Sequence, residues 1–286
     1  LAVLTAAAYW AERSERSIAL NRIAKQVPAR ADARVHLLSE TVGRYSADVR
    51  FLARSPALLT LVDEAQTPKG VSARARERLQ TLFLAYAQEH REVLQVRLIG
   101  VAREGLEIVR VDRDVQNDRA LIPERLQAKG DRDYFREGLK VGAGQVYVSR
   151  LDLNREFGKV QVPHTPTLRI VTPVMGADGH PFGVVVINLA MQKMLDRLES
   201  GLEAPMDLYL LNADGDFLLH PDRARRFGFD LGQRYRWDEQ FAPAASIAGQ
   251  APVLEDFRDA EDLHHFVRRD IRFDLRDRSH DLRLVI

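Results

Sequence analysis

Two arginines placed in apolar strands are the residues of this chain whose position most suggests chemistry. Arg110 lies in LEIVRVDR, and Asp112 follows on the same face because side chains alternate along a strand. Arg169 enters another apolar strand from a polar segment. A guanidinium that is buried without a partner is costly, so each arginine requires a carboxylate from the chain or from a ligand. The pattern therefore predicts capture of a small, anionic molecule.

Further polar and aromatic residues surround these arginines in the sequence. Asp112, Asp133 and Asp152 are possible internal partners, while two tyrosines would supply hydroxyl groups and apolar walls, as small-molecule pockets do. The candidate ligand-binding residues are Arg110, Asp112, Asp133, Tyr134, Tyr147, Ser149 and Arg169. An alternative stays open, in which these groups only hold a loop in place through structural hydrogen bonds and ion pairs.

Composition and missing motifs exclude several other functions. The chain has 42 Lys plus Arg against 41 Asp plus Glu, so no basic field favours nucleic acid as a partner. It has no cysteine and none of the HExxH, GxSxG or Walker patterns. His264 and His265 would point to opposite faces of a strand. We expect no enzyme, no metal site and no cofactor; the paired carboxylates Asp112 and Asp133 are the one faint suggestion of catalysis.

The elements that must position these residues are short strands and one helix. Residues 145–149, 168–174 and 183–189 are β-branched or apolar runs, which predict an antiparallel sheet. DRDYFREGL predicts a short helix before them. The polar segment between the first two strands is about twenty residues long, which is typical of a lid or binding loop rather than an ordinary hairpin.

A helical stem precedes the strands. Residues 2–52 have helical character, and Pro28 is expected to kink or divide that helix. An apolar seam at spacings of three and four follows, formed by Val35, Leu38, Val42, Tyr45, Val49 and Leu52. The seam could join two copies in a homodimer or dock the helix on its own chain. A second helix is predicted over residues 71–90.

Two hairpins of similar pattern suggest a tandem repeat. LQVRLIGV and LEIVRVDR flank a turn at Gly105, and MDLYLLN and DFLLH flank a turn at Gly215. The sequence therefore predicts an α+β fold with a long N-terminal helical stem at residues 1–91. Two modules follow at 92–202 and 203–286, each an antiparallel sheet flanked by helices.

Five segments of the first module resemble a known family. They are DRDYF (131–135), YVS (147–149), LDLNRE (151–156), PH (163–164) and PTLR (166–169). These residues are similar to the membrane-distal module of periplasmic double Cache (PAS-like) sensor domains on bacterial histidine kinases and GGDEF diguanylate cyclases. The resemblance covers residues 40–286, more weakly in the second module. It implies a ligand pocket between the distal sheet and the loops and helix above it. The full residue set of amino-acid-binding members is not found, so the ligand stays open.

The resemblance also implies a membrane receptor. LAVLTAAAYW resembles the exit end of a transmembrane helix with aromatic residues at the interface, and we expect the natural chain to continue after HDLRLVI. This domain would then be periplasmic, in a bacterial inner-membrane protein whose flanking helices connect a small-molecule signal to a cytoplasmic kinase or cyclase. The alternative function is a dimerising, protein-binding ectodomain without a small ligand.

Overall fold

The computed structural model divides the chain into two compact units. It describes residues 2–114, 117–156, 158–202, 204, 206–243, 255–258, 263–273 and 280–286. The larger unit comprises residues 39–197 and 273–280, and the smaller unit comprises residues 1–38, 198–272 and 281–286. The predicted division at residues 92 and 203 is a different, sequence-based partition and stays a prediction.

Three helices open the chain. They are α1 (Ala2–Ala53), α2 (Pro56–Ala65) and α3 (Ala73–Glu89). Pro28 lies inside α1, so of the two outcomes expected from the sequence, a kink or a division, the division does not occur. Ser55 and Ser72 begin α2 and α3, since each hydroxyl accepts a hydrogen bond from a backbone N–H three residues later. The predicted second helix corresponds to α3, which buries Leu79 and Phe83.

The apolar seam of α1 packs within the chain. Five of its six predicted positions are buried, namely Leu38, Val42, Tyr45, Val49 and Leu52. Polar contacts hold the same part of the helix, because Tyr86 of α3 donates to Asp48 over 2.9 Å and Tyr45 donates to Glu92 over 3.3 Å. A homodimer through α1 stays a prediction, and it would have to use another face of the helix.

A seven-stranded antiparallel sheet forms the centre of the larger unit. Its strand order is β3-β2-β1-β9-β8-β4, with β5 also paired to β8. The bounds are β1 (Val93–Gly100), β2 (Glu107–Asp114), β3 (Arg119–Leu121), β4 (Tyr147–Val148), β5 (Asp152–Leu153), β8 (Pro166–Met175) and β9 (Pro181–Ala190). The one-turn element α4 (Ala102–Gly105) joins β1 to β2. Gly105 is required there, because its φ is 73° and a Cβ would lie 2.6 Å from the Gly130 nitrogen.

Helix α5 (Asp133–Lys140) lies close against this sheet. Gly138 permits the approach, since a Cβ there would lie 2.5 Å from a methyl carbon of Val171. Tyr134 and Phe135 of the helix join an apolar cluster with Tyr147, Val171 and strand β9. The helix that DRDYFREGL predicted is thus present and packs its aromatic residues on the sheet.

The predicted lid contains paired strands among its described residues. After β5, the strands β6 (Arg155–Glu156) and β7 (Lys159–Val160) form a small hairpin of their own. Asn154 bonds both sides of its base, because its N–H donates to Thr165 and its carbonyl accepts from Gln161. This segment, residues 154–161, is called the lid hairpin below.

Helix α6 (Gln192–Glu199) leads into the smaller unit. A four-stranded sheet of order β11-β10-β16-β15 and a three-stranded sheet β12-β13-β14 follow. The strands are β10 (Tyr209–Leu211), β11 (Phe217–Leu219), β12 (Ala242–Pro243), β13 (Glu255–Arg258), β14 (Leu263–Phe266), β15 (Arg268–Ile271) and β16 (Leu282–Val285), and the helices are α7 (Gly228–Leu231) and α8 (Trp237–Gln240). Within this unit, buried Arg34 of α1 donates to the Leu198 carbonyl over 2.6 Å and so satisfies the end of α6.

The architecture confirms the predicted α+β class, with an N-terminal helix and antiparallel sheets flanked by helices. Both predicted hairpins are present as β1–β2 and β10–β11. In the part of the chain that the structure describes, no helix combines the length and apolar character needed to cross a membrane.

Candidate functional site

One face of the large sheet carries a row of polar side chains. Cross-strand pairing places Gln95 opposite Asp112, Arg97 opposite Arg110, and Arg169 opposite Asn188, so four adjacent strands contribute. Nearly all of these residues are buried, although they lie in strands whose other positions are apolar. A buried polar face of this kind requires internal partners or a ligand.

Two cavities lie on this face. The first, called the tyrosine cavity, has a volume of about 280 Å³ and is lined by Asp131, Arg132, Asp133, Tyr134, Tyr147, Ser149, Arg150, Asp152, Arg155 and Arg169. The second, called the amide cavity, has a volume of about 410 Å³ and is lined by Leu94, Gln95, Arg110, Asp112, Arg113, Pro123, Glu124, Arg125, Gln127, Asn154, Glu156, Gln161 and Thr165.

The candidate residues from the sequence divide between these cavities. Tyr134, Tyr147, Ser149, Arg169 and Asp133 line the tyrosine cavity. Arg110 and Asp112 line the amide cavity instead. The single pocket that the sequence suggested is therefore two pockets, and the carboxylates of Asp112 and Asp133 do not share one.

Tyr134 is the central side chain of the tyrosine cavity. Two guanidinium groups lie near its ring, with the Arg97 and Arg169 carbons 5.3 Å and 5.4 Å from the ring centre. Its hydroxyl accepts a hydrogen bond of 3.0 Å from Arg97. Both contacts are attractive, since a cation stabilises the negative face of an aromatic ring. Helix α5 thus holds this ring at a fixed position in the wall.

Arg169 meets an internal carboxylate at the edge of the same cavity. Its guanidinium is almost fully buried and donates to Asp152 over 2.6 Å. The Asp152 side chain keeps 31% of its surface exposed, so the ion pair is accessible from one side. Ser149 has a structural contribution as well, because its hydroxyl accepts from the Arg169 N–H and donates to the Arg150 carbonyl.

Tyr147 and Asp133 complete the candidate set. Tyr147 is buried, and its hydroxyl lies 3.5 Å from Nε2 of His280, whose ring packs edge-on against the tyrosine ring. His280 also bonds the Val148 carbonyl through Nδ1, at 2.7 Å. No pattern in the sequence indicated that His280 reaches this wall. Asp133 lies at the exposed rim and pairs with Arg136 one turn away.

Arg110 has its full complement of partners within the chain. Its Nε donates to Asp112 over 2.7 Å, and its two terminal nitrogens lie 3.5 Å from Glu107 and 3.4 Å from Glu156. The expectation that Arg110 captures an anionic ligand is therefore not supported by its contacts. The sequence left open whether the carboxylate partner of Arg110 comes from the chain or from a ligand. In the structure the chain itself supplies three carboxylates.

Two carboxylates beside Arg110 titrate differently. Burial opposes ionisation of Glu156, but the charge of Arg110 and hydrogen bonds from Gln127 and Gln95 lower its pKa to about 2. Burial raises the pKa of Asp112 above its ordinary value, and this outweighs the hydrogen bond from Arg110. The surroundings of Glu156 thus favour its charged form, whereas burial disfavours the charged form of Asp112.

Sequence reasoning missed the residues that connect the two cavities. A chain of hydrogen bonds runs from the Tyr134 hydroxyl to Arg97 (3.0 Å), Asn188 (2.7 Å), Gln95 (2.9 Å) and Glu156 (2.7 Å). Glu107 lies 3.4 Å from the same arginine. A signal was available, since Gln95 and Arg97 alternate in VLQVRLIG as Arg110 and Asp112 do in β2. Glu156 had no such signal, because the lid hairpin brings it there from a distant segment.

Lys129 is a further buried cation near this network. Its amine donates to Gln127 over 2.7 Å, and burial together with the charge of Arg97 lowers its pKa to about 8. Within the described residues, no group of three or more His, Cys, Asp or Glu side chains could hold a metal ion.

Comparison with known proteins gives a family and a fold. The family model of the bacterial histidine kinase sensor domain matches residues 39–244. No curated protein sequence matches the chain. A domain of a sensory box/GGDEF family protein from Vibrio parahaemolyticus superposes with a TM-score of 0.62 and 19% identity, over 91% of this chain and 96% of that one.

Two further solved structures share the fold. The extracellular domain of the histidine kinase vpHK1S-Z8 superposes with a TM-score of 0.61 and 20% identity, covering 92% of both chains. The ligand-binding domain of the amino acid chemoreceptor PctB from Pseudomonas aeruginosa PAO1, in complex with L-Arg, gives a TM-score of 0.54 and 16% identity, over 93% of this chain and 92% of that one. The predicted Cache-type sensor fold is confirmed.

Proposed function

The chain belongs to the family of bacterial histidine kinase sensor domains, and we propose that it detects a small carboxylate-bearing molecule in its tyrosine cavity. As a sensor domain it is not itself catalytic. The observation that carries the proposal is the pair of buried Arg169 with partly exposed Asp152, which borders a cavity of about 280 Å³ beside two buried tyrosines.

The cavity has the chemistry of a preformed recognition site. Tyr134 is held by two guanidinium groups and Tyr147 by His280, so the apolar walls are ordered without a ligand. Rigid walls reduce the entropy that a ligand has to lose on binding. The partly exposed pair at Arg169 then presents both a positive and a negative group to whatever enters.

A small organic acid or amino acid fits this lining best. Arginines at positions 132, 150, 155 and 169 provide donors for a carboxylate, and aspartates at 131, 133 and 152 provide acceptors for an ammonium group. Structures of similar fold were solved with L-Arg in PctB and with L-serine in the chemoreceptor CtaA of Pseudomonas fluorescens. Those ligands support the class proposed here.

The wider receptor follows from the family. We propose that residues 92–202 form the membrane-distal module, 203–286 the membrane-proximal module, and 1–91 a stem. In this arrangement the domain is extracytoplasmic, transmembrane helices flank it, and a histidine kinase lies on the cytoplasmic side. A diguanylate cyclase is the alternative output. Ligand binding acts by favouring one of two conformations of the domain.

A thermal-shift screen of the purified domain against L-amino acids and small organic acids tests the proposal. A ligand at a hundred times its dissociation constant adds about 2.7 kcal/mol of stability, which is readily measured. Arg169→Ala should remove the response to a hit. Arg136→Ala is the matched control, because that arginine is on α5 but its side chain is 56% exposed and does not line the cavity.

The outcomes separate the two functions that the sequence left open. A hit that is lost in Arg169→Ala and retained in Arg136→Ala supports a ligand sensor. A hit that Arg169→Ala leaves unchanged contradicts the tyrosine cavity as the site. A flat screen in a folded protein favours the ectodomain that binds a protein partner without a small ligand.

A further inference from the structure

The amide cavity differs in chemistry from the tyrosine cavity, although both lie on the same sheet face. Besides Leu94 and Pro123, its lining is dominated by side-chain amides and charged groups, and it has the larger volume, about 410 Å³. Cavities of this size are typical of small-molecule sites. The family match and the solved structures of similar fold assign no function to it in this chain.

The buried cations at this cavity, Arg110 and Arg113, already have partners within the chain. Arg110 is surrounded by three carboxylates, from Asp112, Glu107 and Glu156. Arg113 donates to the backbone carbonyls of Val93, Ala87 and His90, and to Asp118. Glu124 and Arg125 lie at the exposed rim with opposite charges. A ligand carboxylate entering here would meet no uncommitted buried donor among these groups.

Acceptor atoms, in contrast, are left over. Asp112 uses one carboxylate oxygen for Arg110, and its second oxygen has no partner within the described part of the chain. Asn154 is only 4% exposed, and its side-chain NH₂ group donates a hydrogen bond to the Gln161 side chain. Its side-chain amide oxygen, Oδ1, likewise has no partner among the described residues. Both side chains line the cavity.

We propose that the amide cavity is a second ligand site, and that it takes a small molecule with a protonated amine and neutral hydrogen-bonding groups. The ammonium group lies at the free oxygen of Asp112, where it supplies a charge-assisted hydrogen bond. The neutral part of the ligand donates to Asn154 and accepts from the Gln161 amide, which has no other acceptor in the described residues. The proposal does not rest on the function of the tyrosine cavity.

The electrostatic surroundings support a cationic rather than an anionic ligand. Asp112 has a raised pKa because burial disfavours its charge, and an ammonium ion at 3 Å restores the missing stabilisation. An alcohol in the same place offers the hydrogen bond without the charge. The difference between an amine and the corresponding alcohol therefore measures what Asp112 contributes.

Isothermal titration with matched probe pairs tests the inference on the folded domain. The pairs are ethanolamine and ethylene glycol, putrescine and 1,4-butanediol, and glucosamine and glucose. We expect at least one amine to bind about ten-fold more tightly than its alcohol, the ratio for one charge-assisted hydrogen bond. Asp112→Asn should remove this preference while keeping the shape of the side chain.

Two further variants make the result specific. Gln161→Ala, at an exposed position of the lid hairpin, should weaken binding of the amine. Circular dichroism of this variant checks its fold, because Gln161 also accepts a hydrogen bond from the buried Asn154 amide. Tyr147→Phe, in the other cavity, should leave amine binding unchanged, whereas loss of binding there would mean that the amine occupies the tyrosine cavity. The inference is overturned if none of the amines is preferred over its alcohol, or if the preference survives Asp112→Asn. Neither outcome affects the carboxylate screen with Arg169→Ala, so the two proposals fail separately.

Discussion

The two units differ in what their similar hairpins bury, since several charged side chains are buried in one and mainly apolar and aromatic side chains in the other. In the larger unit, strands β1 and β2 meet at a turn with Gly105 at positive φ and bury Arg97, Glu107 and Arg110. In the smaller unit, β10 and β11 meet at a turn with Gly215 at positive φ and bury apolar and aromatic side chains. The same backbone element can therefore enclose charges or rings.

Aromatic rings pack against one another in the interior of the smaller unit. Phe217, Phe241 and Phe266 pack with Tyr209 and Trp237, and neighbouring ring centres lie 4.3 to 5.9 Å apart. Rings need only close packing, whereas buried ions need a partner for each atom. The larger unit pairs most of its buried charged atoms internally, with Arg97 Nε as an exception among the described residues, and has cavities beside them. This difference is why we assign ligand recognition to the larger unit.

The largest expected effect is in the aromatic interior. Phe217 is 1% exposed, so Phe217→Ala should lower the free energy of unfolding by about 3 to 5 kcal/mol, from lost burial and the remaining cavity. Urea unfolding measures it. Leu231→Ala, at a position with 46% exposure, is the control and should stay within about 0.5 kcal/mol. A loss below about 1 kcal/mol for Phe217→Ala would contradict a filled interior.

The buried charges of the larger unit should respond to loss of one partner. Arg97→Met removes one of the two cations that contact buried Glu107, and we expect a loss of about 3 kcal/mol in the free energy of unfolding, because Glu107 keeps only Arg110, at 3.5 Å, as a cationic partner. Urea unfolding again measures it, with Arg91→Met as the control, since that side chain is 73% exposed. Adding Glu107→Gln should recover part of the loss. If the double variant is no more stable than Arg97→Met, the charge at Glu107 is not the cause.

Acid should weaken the larger unit through Glu156. The folded pKa is about 2, below the ordinary 4.5, so the unfolded chain takes up the proton first as the pH falls. The stabilisation is fully present above pH 4.5 and is lost toward pH 2, by roughly 1 to 2 kcal/mol after solvent screening. Between pH 4.5 and pH 2, the free energy of unfolding should change less with pH in Glu156→Gln than in the wild type. In Glu124→Gln it should change as much as in the wild type. Equal slopes for wild type and Glu156→Gln would remove Glu156 from the account.

The smallest effect concerns Lys129 at alkaline pH. Its folded pKa of about 8 lies below the ordinary 10.5, so the folded chain releases the proton first. Burying the charged amine costs stability below pH 8, and that cost disappears as the pH rises to 10.5, a gain on the order of 1 kcal/mol. Lys129→Met should lack the rise, while Lys69→Met, at an exposed position, should keep it. A rise that persists in Lys129→Met would point to another group.

Local patterns in the sequence predicted the helices, strands and hairpins well. They could not predict which distant segments contact one another. Helix α5, both hairpins and the shared face of Arg110 and Asp112 followed from periodicity. Arg97 was missed because its partners depend on the register of β1 against β2 and β9. Glu156 reaches the network only through the lid hairpin, and His280 through a distant segment. The separation into two cavities could not be predicted, because it depends on how these long-range contacts divide one sheet face.

Hydrogen exchange of the domain with and without a ligand from the screen tests the central claim most directly. The claim is that the larger unit recognises the ligand on its polar sheet face. It predicts slower exchange in α5, β4, β5 and the start of β8 on binding, with β10 and β11 unchanged. Slower exchange confined to β10 and β11 of the smaller unit would contradict the account.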